Sequence, residues 1–217
     1  MTSISDRVRR NEELIAQYPL QRELRDGGAI ELRLMSIRDE VRFLTFARSL
    51  PLDDLLYEQR DITDEHVVEE WLRNIRRGQA LTVLAYRGDN VVGEASLEHS
   101  QSTWNQHRGE IRIVISPGAR GQGLGRVLAR EVFSLAKELK LQQLTAQMVE
   151  SQNTAQSVFK ELGFEPVAVL PGFAVDQKGA EHDIIVMMHD LSADESTLQR
   201  SVERSKGLLR KLRGASE

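Results

Sequence analysis

The sequence predicts a mixed α/β fold, and three observations carry that prediction. Hydrophobic spacing switches along the chain between a helical period and a period of two. Two alternating runs, Leu81–Tyr86 and Val91–Leu97, flank Arg87-Gly88-Asp89-Asn90, a turn sequence suited to a hairpin. A further apolar strand, Glu110–Ile115, runs straight into glycines that open a long amphipathic helix.

The remaining elements follow in order. Ser5–Tyr18 mixes charge with Val8, Leu14 and Ile15 before Pro19, the pattern of a short helix stopped by proline. Ala29–Met35 alternates Ile30, Leu32 and Leu34 with Glu31 and Arg33, as a strand with one wet face does. Ile37–Leu50 sets Val41, Phe43, Leu44, Ala47 and Leu50 at helical spacing, and Pro51 stops that helix. Thr63 is the expected cap of the next helix, with Asp64 and Glu65 in its first turn and Val67, Val68, Trp71, Leu72 and Ile75 on its apolar face; Gly78 ends it. Past the hairpin and the Glu110–Ile115 strand, Val127, Leu128, Val132, Leu135, Ala136 and Leu139 trace one helical stripe. Leu144–Val149 is expected as a strand, Asn153–Leu162 as a helix ended by Gly163, and Phe164–Leu170 and Asp183–His189 as the last strands. Ser192–Glu217 carries Leu198, Val202, Leu209 and Leu212 along a charged helix that either packs on its own domain or pairs two copies in a homodimer. The organisation expected is an N-terminal helical extension over 1–28, one domain over 29–191 and a C-terminal helix over 192–217.

Composition narrows the chemistry. A chain of 217 residues suits one large domain. With no cysteine, disulfides, thiolate metal sites, iron–sulfur clusters and cysteine nucleophiles are excluded. A net charge of −4 argues against a nucleic-acid partner, and no apolar run approaches the roughly 20 residues of a membrane helix. Met1–Arg10 lacks the apolar core of a secretory signal, so a cytoplasmic protein without a membrane partner is expected.

The most informative stretch is Ile111 to Arg126, where strand, glycines and helix start follow one another. Gly121, Gly123 and Gly125 let backbone amides approach a ligand closely. The helix start offers unpaired N–H groups and a positive dipole end, and Arg120 and Arg126 add charge, so the segment suits a pyrophosphate. A nucleoside-triphosphate loop would need Gly-Lys-Ser/Thr, whereas Gly125 is followed by Arg126 and Val127. A dinucleotide fingerprint would need a third glycine where Leu128 stands. The spacing Arg120-x-x-Gly123-x-Gly125, preceded by a hairpin, resembles the pyrophosphate loop of the GNAT acyltransferase superfamily.

That resemblance extends over roughly Ala29 to Asp190 and implies a mixed, mostly antiparallel central sheet flanked by helices. It implies acetyl-CoA as co-substrate, with no metal. Its phosphates would sit on Arg120, Gly121, Gln122, Gly123, Leu124, Gly125 and Arg126, and its pantetheine arm on the backbone of Val114 and Ile115. The later helix resembles the family's second cofactor-facing helix, which brings in Asn153, or Gln152 one residue earlier, and Phe159. The family's tyrosine acid falls on Phe159, which has no hydroxyl to donate.

Amine acetylation needs a proton acceptor beside the thioester. Glu110 heads the strand leading into the loop, and Glu94 and Glu98 share one face of the preceding strand. Glu110 and Glu94 are the expected catalytic carboxylates, with His99 and His107, on the connecting loop that also carries Trp104, as weaker candidates for a proton relay. Asp53, Asp54, Glu58, Asp61, Asp64, Glu65, Glu69 and Glu70 form an acidic stretch that either draws a cationic amine or serves the helix dipole and solubility. The expected activity is direct transfer of an acetyl group to a primary amine, on a protein lysine or N-terminus or on a small cationic molecule. The alternatives are a longer acyl donor such as succinyl-CoA and a non-catalytic acyl-CoA-binding module.

Overall fold

The computed structural model of the chain describes residues 14–192, apart from 56, 57, 59, 100, 101, 103 and 177. Eight strands form one sheet: β1 (Leu20–Glu23), β2 (Ala29–Leu34), β3 (Ala80–Arg87), β4 (Asn90–His99), β5 (Arg108–Ile115), β6 (Gln143–Val149), β7 (Glu165–Val175) and β8 (Glu181–Asp190). Their spatial order is β1-β2-β3-β4-β5-β6-β8-β7. All neighbours are antiparallel except β5 and β6, which run parallel because the Leu124–Glu138 helix carries the chain back between them. Among the described residues no helix is long and apolar enough to cross a membrane.

Helices cover both faces of the sheet, because strand alternation gives it two apolar sides. On one side Phe43, Phe46, Trp71 and Leu72, from the Glu40–Arg48 and Glu65–Arg76 helices, pack on Leu84, Tyr86 and Val114. Phe43 and Trp71 meet edge to face at 5.2 Å. On the other side Leu128, Val132 and Leu135 of the Leu124–Glu138 helix and Phe159 of the Asn153–Glu161 helix pack with Val83, Ala95, Leu97 and Ile111. Each fully buried leucine of these layers contributes roughly 1.5–3 kcal/mol.

Four details depart from the sequence expectations. The sheet starts inside the 1–28 segment: β1 pairs with β2 from Leu20–Leu32 to Glu23–Ala29. Its sequence, Leu-Gln-Arg-Glu, has no apolar alternation, and backbone bonding to β2 makes it a strand. Val41 is exposed, since the helix turns Phe43, Leu44, Phe46 and Ala47 inward. Asp64, not Thr63, caps the Glu65–Arg76 helix, accepting from the His66 N–H at 2.8 Å, while Thr63 is held by Asp61. β7 runs on to Val175 across an irregularity after Leu170. Of the expected Ser5–Tyr18 helix, residues 5–13 lie outside the described residues, and Gln17 and Tyr18 then close turns on Leu14 and Ile15. The expected C-terminal helix lies outside them from residue 193 onward.

Candidate active site

The glycine loop takes its shape from backbone conformations that few side chains tolerate. Gly121 has φ 76° and Gly123 φ 91°, both left-handed, and Gly123 is the N-cap of the Leu124–Glu138 helix with no side chain capping it. A Cβ on Gly121 would meet nothing within 4 Å, so that side of the loop is open to a ligand. The Gln122 side chain is used structurally: its Oε1 accepts from Arg87 at 2.6 Å and its Nε2 donates to the Gly118 carbonyl at 3.2 Å. Arg120 donates to the Ile115 carbonyl and pairs with Asp54 at 2.5 Å, and Arg126 pairs with Glu161 at 2.5 Å.

Next to the loop the sheet divides. β5 and β6 pair only from Arg108–Gln143 to Ile111–Ala146, after which β5 continues to Ile115 and β6 to Val149 without pairing to each other. The β6-side backbone groups of Arg112–Ile115 therefore lie along a split in the sheet that ends at the loop. Val114 is buried, and its side chain packs in the layer beneath the first helices. Gln152, the residue before the Asn153–Glu161 helix, accepts from the Val149 N–H at 3.2 Å and so holds the other lip of the split, while Asn153 is exposed.

A charged patch lies on the opposite face of the same strands. Glu98 stands opposite Glu110, Ser96 opposite Arg112, and Glu94 opposite Val114. Glu110 accepts from Arg112 at 2.6 Å. Arg60 pairs with Glu98 and lies 4.9 Å above the Trp71 ring. A cleft of about 520 Å³ opens here, lined among others by Arg60, Gln79, Glu98, His99, Asn105, Arg108, Glu110 and Thr145. Below it, Thr82 Oγ1, Ser96 Oγ, Glu94 Oε2 and Arg112 Nε are buried without partners among the described residues. Burial, reinforced by the neighbouring Glu58 charge, holds the Glu94 carboxyl well above the usual carboxylate range, and burial also raises Glu58.

The expected residues thus fall into three groups. Arg120 to Arg126, Val114 and Ile115 come together around the split, and Glu110, Glu98 and His99 line the cleft. Glu94 does not line the cleft; it is 1% exposed, because its strand position points under the flanking helices. Phe159 is buried, its ring 5.0 Å from Phe164 in a T-shaped contact. The other described tyrosines are occupied elsewhere, Tyr18 donating to Glu131 and Tyr86 to Asp39, and Tyr57 lies outside the described residues. Trp104 is exposed, and the His107 carbonyl serves to hold the start of β6. The acidic stretch is largely spent on local structure: Asp61 holds Thr63, Asp64 caps a helix, Asp54 meets Arg120, and Glu69 meets His66 and Arg73. The alternation of β5 could have exposed Arg112 as the partner of Glu110; nothing local marks Arg60.

The profile of the acetyltransferase (GNAT) family matches residues 45–164, which is more than half of the chain. The chain belongs to the GNAT family. A Bacillus subtilis (strain 168) protein, named provisionally as a ribosomal protein bS18-alanine N-acetyltransferase, is 33% identical over 64 residues, 30% of this chain and 42% of that protein. The chain therefore spans less than half the length of that curated relative. Among solved structures, the ribosomal-protein-alanine N-acetyltransferase of Brucella melitensis superposes with a TM-score of 0.64 at 24% identity, over 75% of this chain and 99% of that one. The acetyltransferase yncA of Salmonella typhimurium, solved with acetyl-CoA, gives 0.67 at 17% identity, over 76% and 95%. At these identities the superpositions show the fold, a GNAT sheet with its flanking helices.

Proposed function

We propose that this GNAT chain transfers an acetyl group from acetyl-CoA to a primary amine, directly within a ternary complex. One observation carries the reading: the split between β5 and β6 ends at a helix opened by two left-handed glycines and left without a side-chain cap. An open strand edge and a row of free amides suit the two polar parts of that co-substrate, the amide-bearing pantetheine arm and the pyrophosphate. Acetyl-CoA supplies an activated thioester. The chain's own residues would hold the arm along Arg112–Ile115 and the phosphates on Gly121–Arg126. Asn153, exposed at the start of its helix, is available to the same ligand.

Across the strand, Glu110 is proposed to take the proton from the attacking amine, held in place by its hydrogen bond from Arg112. Glu94, sealed below the cleft with its carboxyl pushed well above the usual carboxylate range by burial, is not in a position to touch an acceptor. The cleft mixes carboxylates with amide side chains and arginines, a lining that suits a protonated amine flanked by peptide groups. The Bacillus and Brucella relatives are named for the alanine of a ribosomal protein, which puts protein amines first among the acceptors to test.

The test is release of CoA from acetyl-CoA in the presence of peptide N-termini, lysine peptides and polyamines, read with a thiol reagent. The chain contains no cysteine, so the reagent reports only the product thiol. Amine-dependent release that falls in Glu110→Gln while acetyl-CoA still binds supports the reading. Tight acetyl-CoA binding with no acceptor consumed would favour a non-catalytic acyl-CoA-binding module.

A further inference from the structure

Four arginines surround the glycine loop, and three are already engaged. Arg120 is tied to Asp54 and the Ile115 carbonyl, Arg126 to Glu161, and Arg87 to Gln122. The fourth, Arg25, comes from the turn between β1 and β2, outside the stretch that the family profile matches. Its stem lies against the helix cap: a Cβ placed on Gly123 would sit 3.3 Å from Arg25 Cγ, 3.5 Å from Cδ and 3.6 Å from Nε. Its guanidinium has no hydrogen-bond or ion-pair partner among the described residues.

We propose that Arg25 is a phosphate-binding residue of this site, reaching over the glycine loop to hold a phosphate group of the acyl-CoA co-substrate. The proposal rests on acetyl-CoA being that co-substrate. Its geometry combines a fixed base with a free head. The Arg25 N–H donates to the Gln122 carbonyl at 3.1 Å, so the turn is tied to the loop itself. Leu24 N–H bonds the Gly28 carbonyl at 2.9 Å and Gly27 N–H the Leu24 carbonyl at 3.0 Å, which closes the turn. Behind it, β1 is paired along its length with β2. Arg120 and Arg126 already spend part of their charge and donors on a carboxylate, whereas Arg25 has no such partner among the described residues. Its planar fork also matches two phosphate oxygens at once.

The experiment is calorimetric titration of the full chain and its Arg25→Ala and Arg25→Lys variants with acetyl-CoA and with its 3′-dephospho form, at low and high salt. Arg25→Ala is expected to raise the Kd for acetyl-CoA about 3- to 10-fold at low salt, by removing one charge-assisted contact at an exposed site. The ratio should shrink at high salt, and Arg25→Lys should recover part of the loss. The melting temperature should not move, because the backbone bond to Gln122 survives the substitution. A loss that persists with the dephospho form assigns Arg25 to the pyrophosphate, and one that disappears assigns it to the 3′-phosphate; either supports the proposal. A wild type that binds normally and an Arg25→Ala variant of equal affinity would overturn it. So would a loss that is insensitive to salt and not relieved by lysine, which would mark a structural role. A wild type that binds neither nucleotide overturns the co-substrate assignment, and the role of Arg25 with it.

Discussion

The two faces of β5 are built on different principles. On one, Ile111, Ile113 and Ile115 pack with the helix that the glycine loop opens. The site beside them is made of backbone: strand groups that β6 leaves unpaired, left-handed glycines and a helix start without a side-chain cap. On the other, Glu110, Arg112 and the neighbouring Glu98 form a patch whose remaining parts, Arg60 and Glu58, come from a segment far away in sequence. A ligand shared by a whole family can be held by backbone, which any side chains can decorate. An acceptor particular to one protein has to be recognised by side chains, and those are free to differ.

The largest effect that would sharpen this contrast is on the charged face. Glu110→Gln should lower kcat about 10²- to 10³-fold while the Kd for acetyl-CoA changes less than about twofold. An unchanged kcat would take the chemistry away from that face. On the backbone face, Gly123→Val forces a branched side chain into a φ of 91° and against the Arg25 stem. Calorimetry should show acetyl-CoA affinity falling about 10- to 100-fold.

Phe159→Tyr tests whether the family's tyrosine can simply be restored. The ring sits in the core, so the new hydroxyl is buried, and chemical denaturation should show a loss of about 1–3 kcal/mol with no gain in kcat. A rise in kcat would place that ring at the split after all.

Glu94→Gln should have the smallest effect, and on stability alone. Burial raises the folded-state pKa of Glu94, so above the unfolded value near 4.3 the unfolded chain gives up a proton that the folded chain keeps. Stability from this group therefore falls as pH rises through that value towards the folded pKa. Glutamine cannot ionise in either state, so urea titrations should show the variant gaining on the wild type as the pH rises above the unfolded value. A gap that narrows instead would mean that Glu94 is charged in the fold.

Legibility in the sequence follows the same division. The hairpin, the strand into the loop and the long helix are readable because periodicity and glycine spacing are local. β1 was not readable, since Leu20–Glu23 is a strand only by pairing with β2. The depth of Glu94 was also hidden: period two gives its face correctly but not the helices that seal that face. For Phe159 the sequence shows only that a hydroxyl is missing; its burial against Phe164 is seen only in the folded chain. Arg25 and Arg60 carry no local signal, and only the folded chain brings them to the loop and the cleft.

The most direct test of the central claim is hydrogen exchange, by mass spectrometry, of the full chain with and without acetyl-CoA. Protection should appear in peptides covering Arg112–Ile115 and Gly121–Arg126, while the Glu65–Arg76 helix on the far face stays unchanged. No protection in those two segments, or protection confined to the far face, would contradict the assignment of the split and its glycine loop to the acyl-CoA.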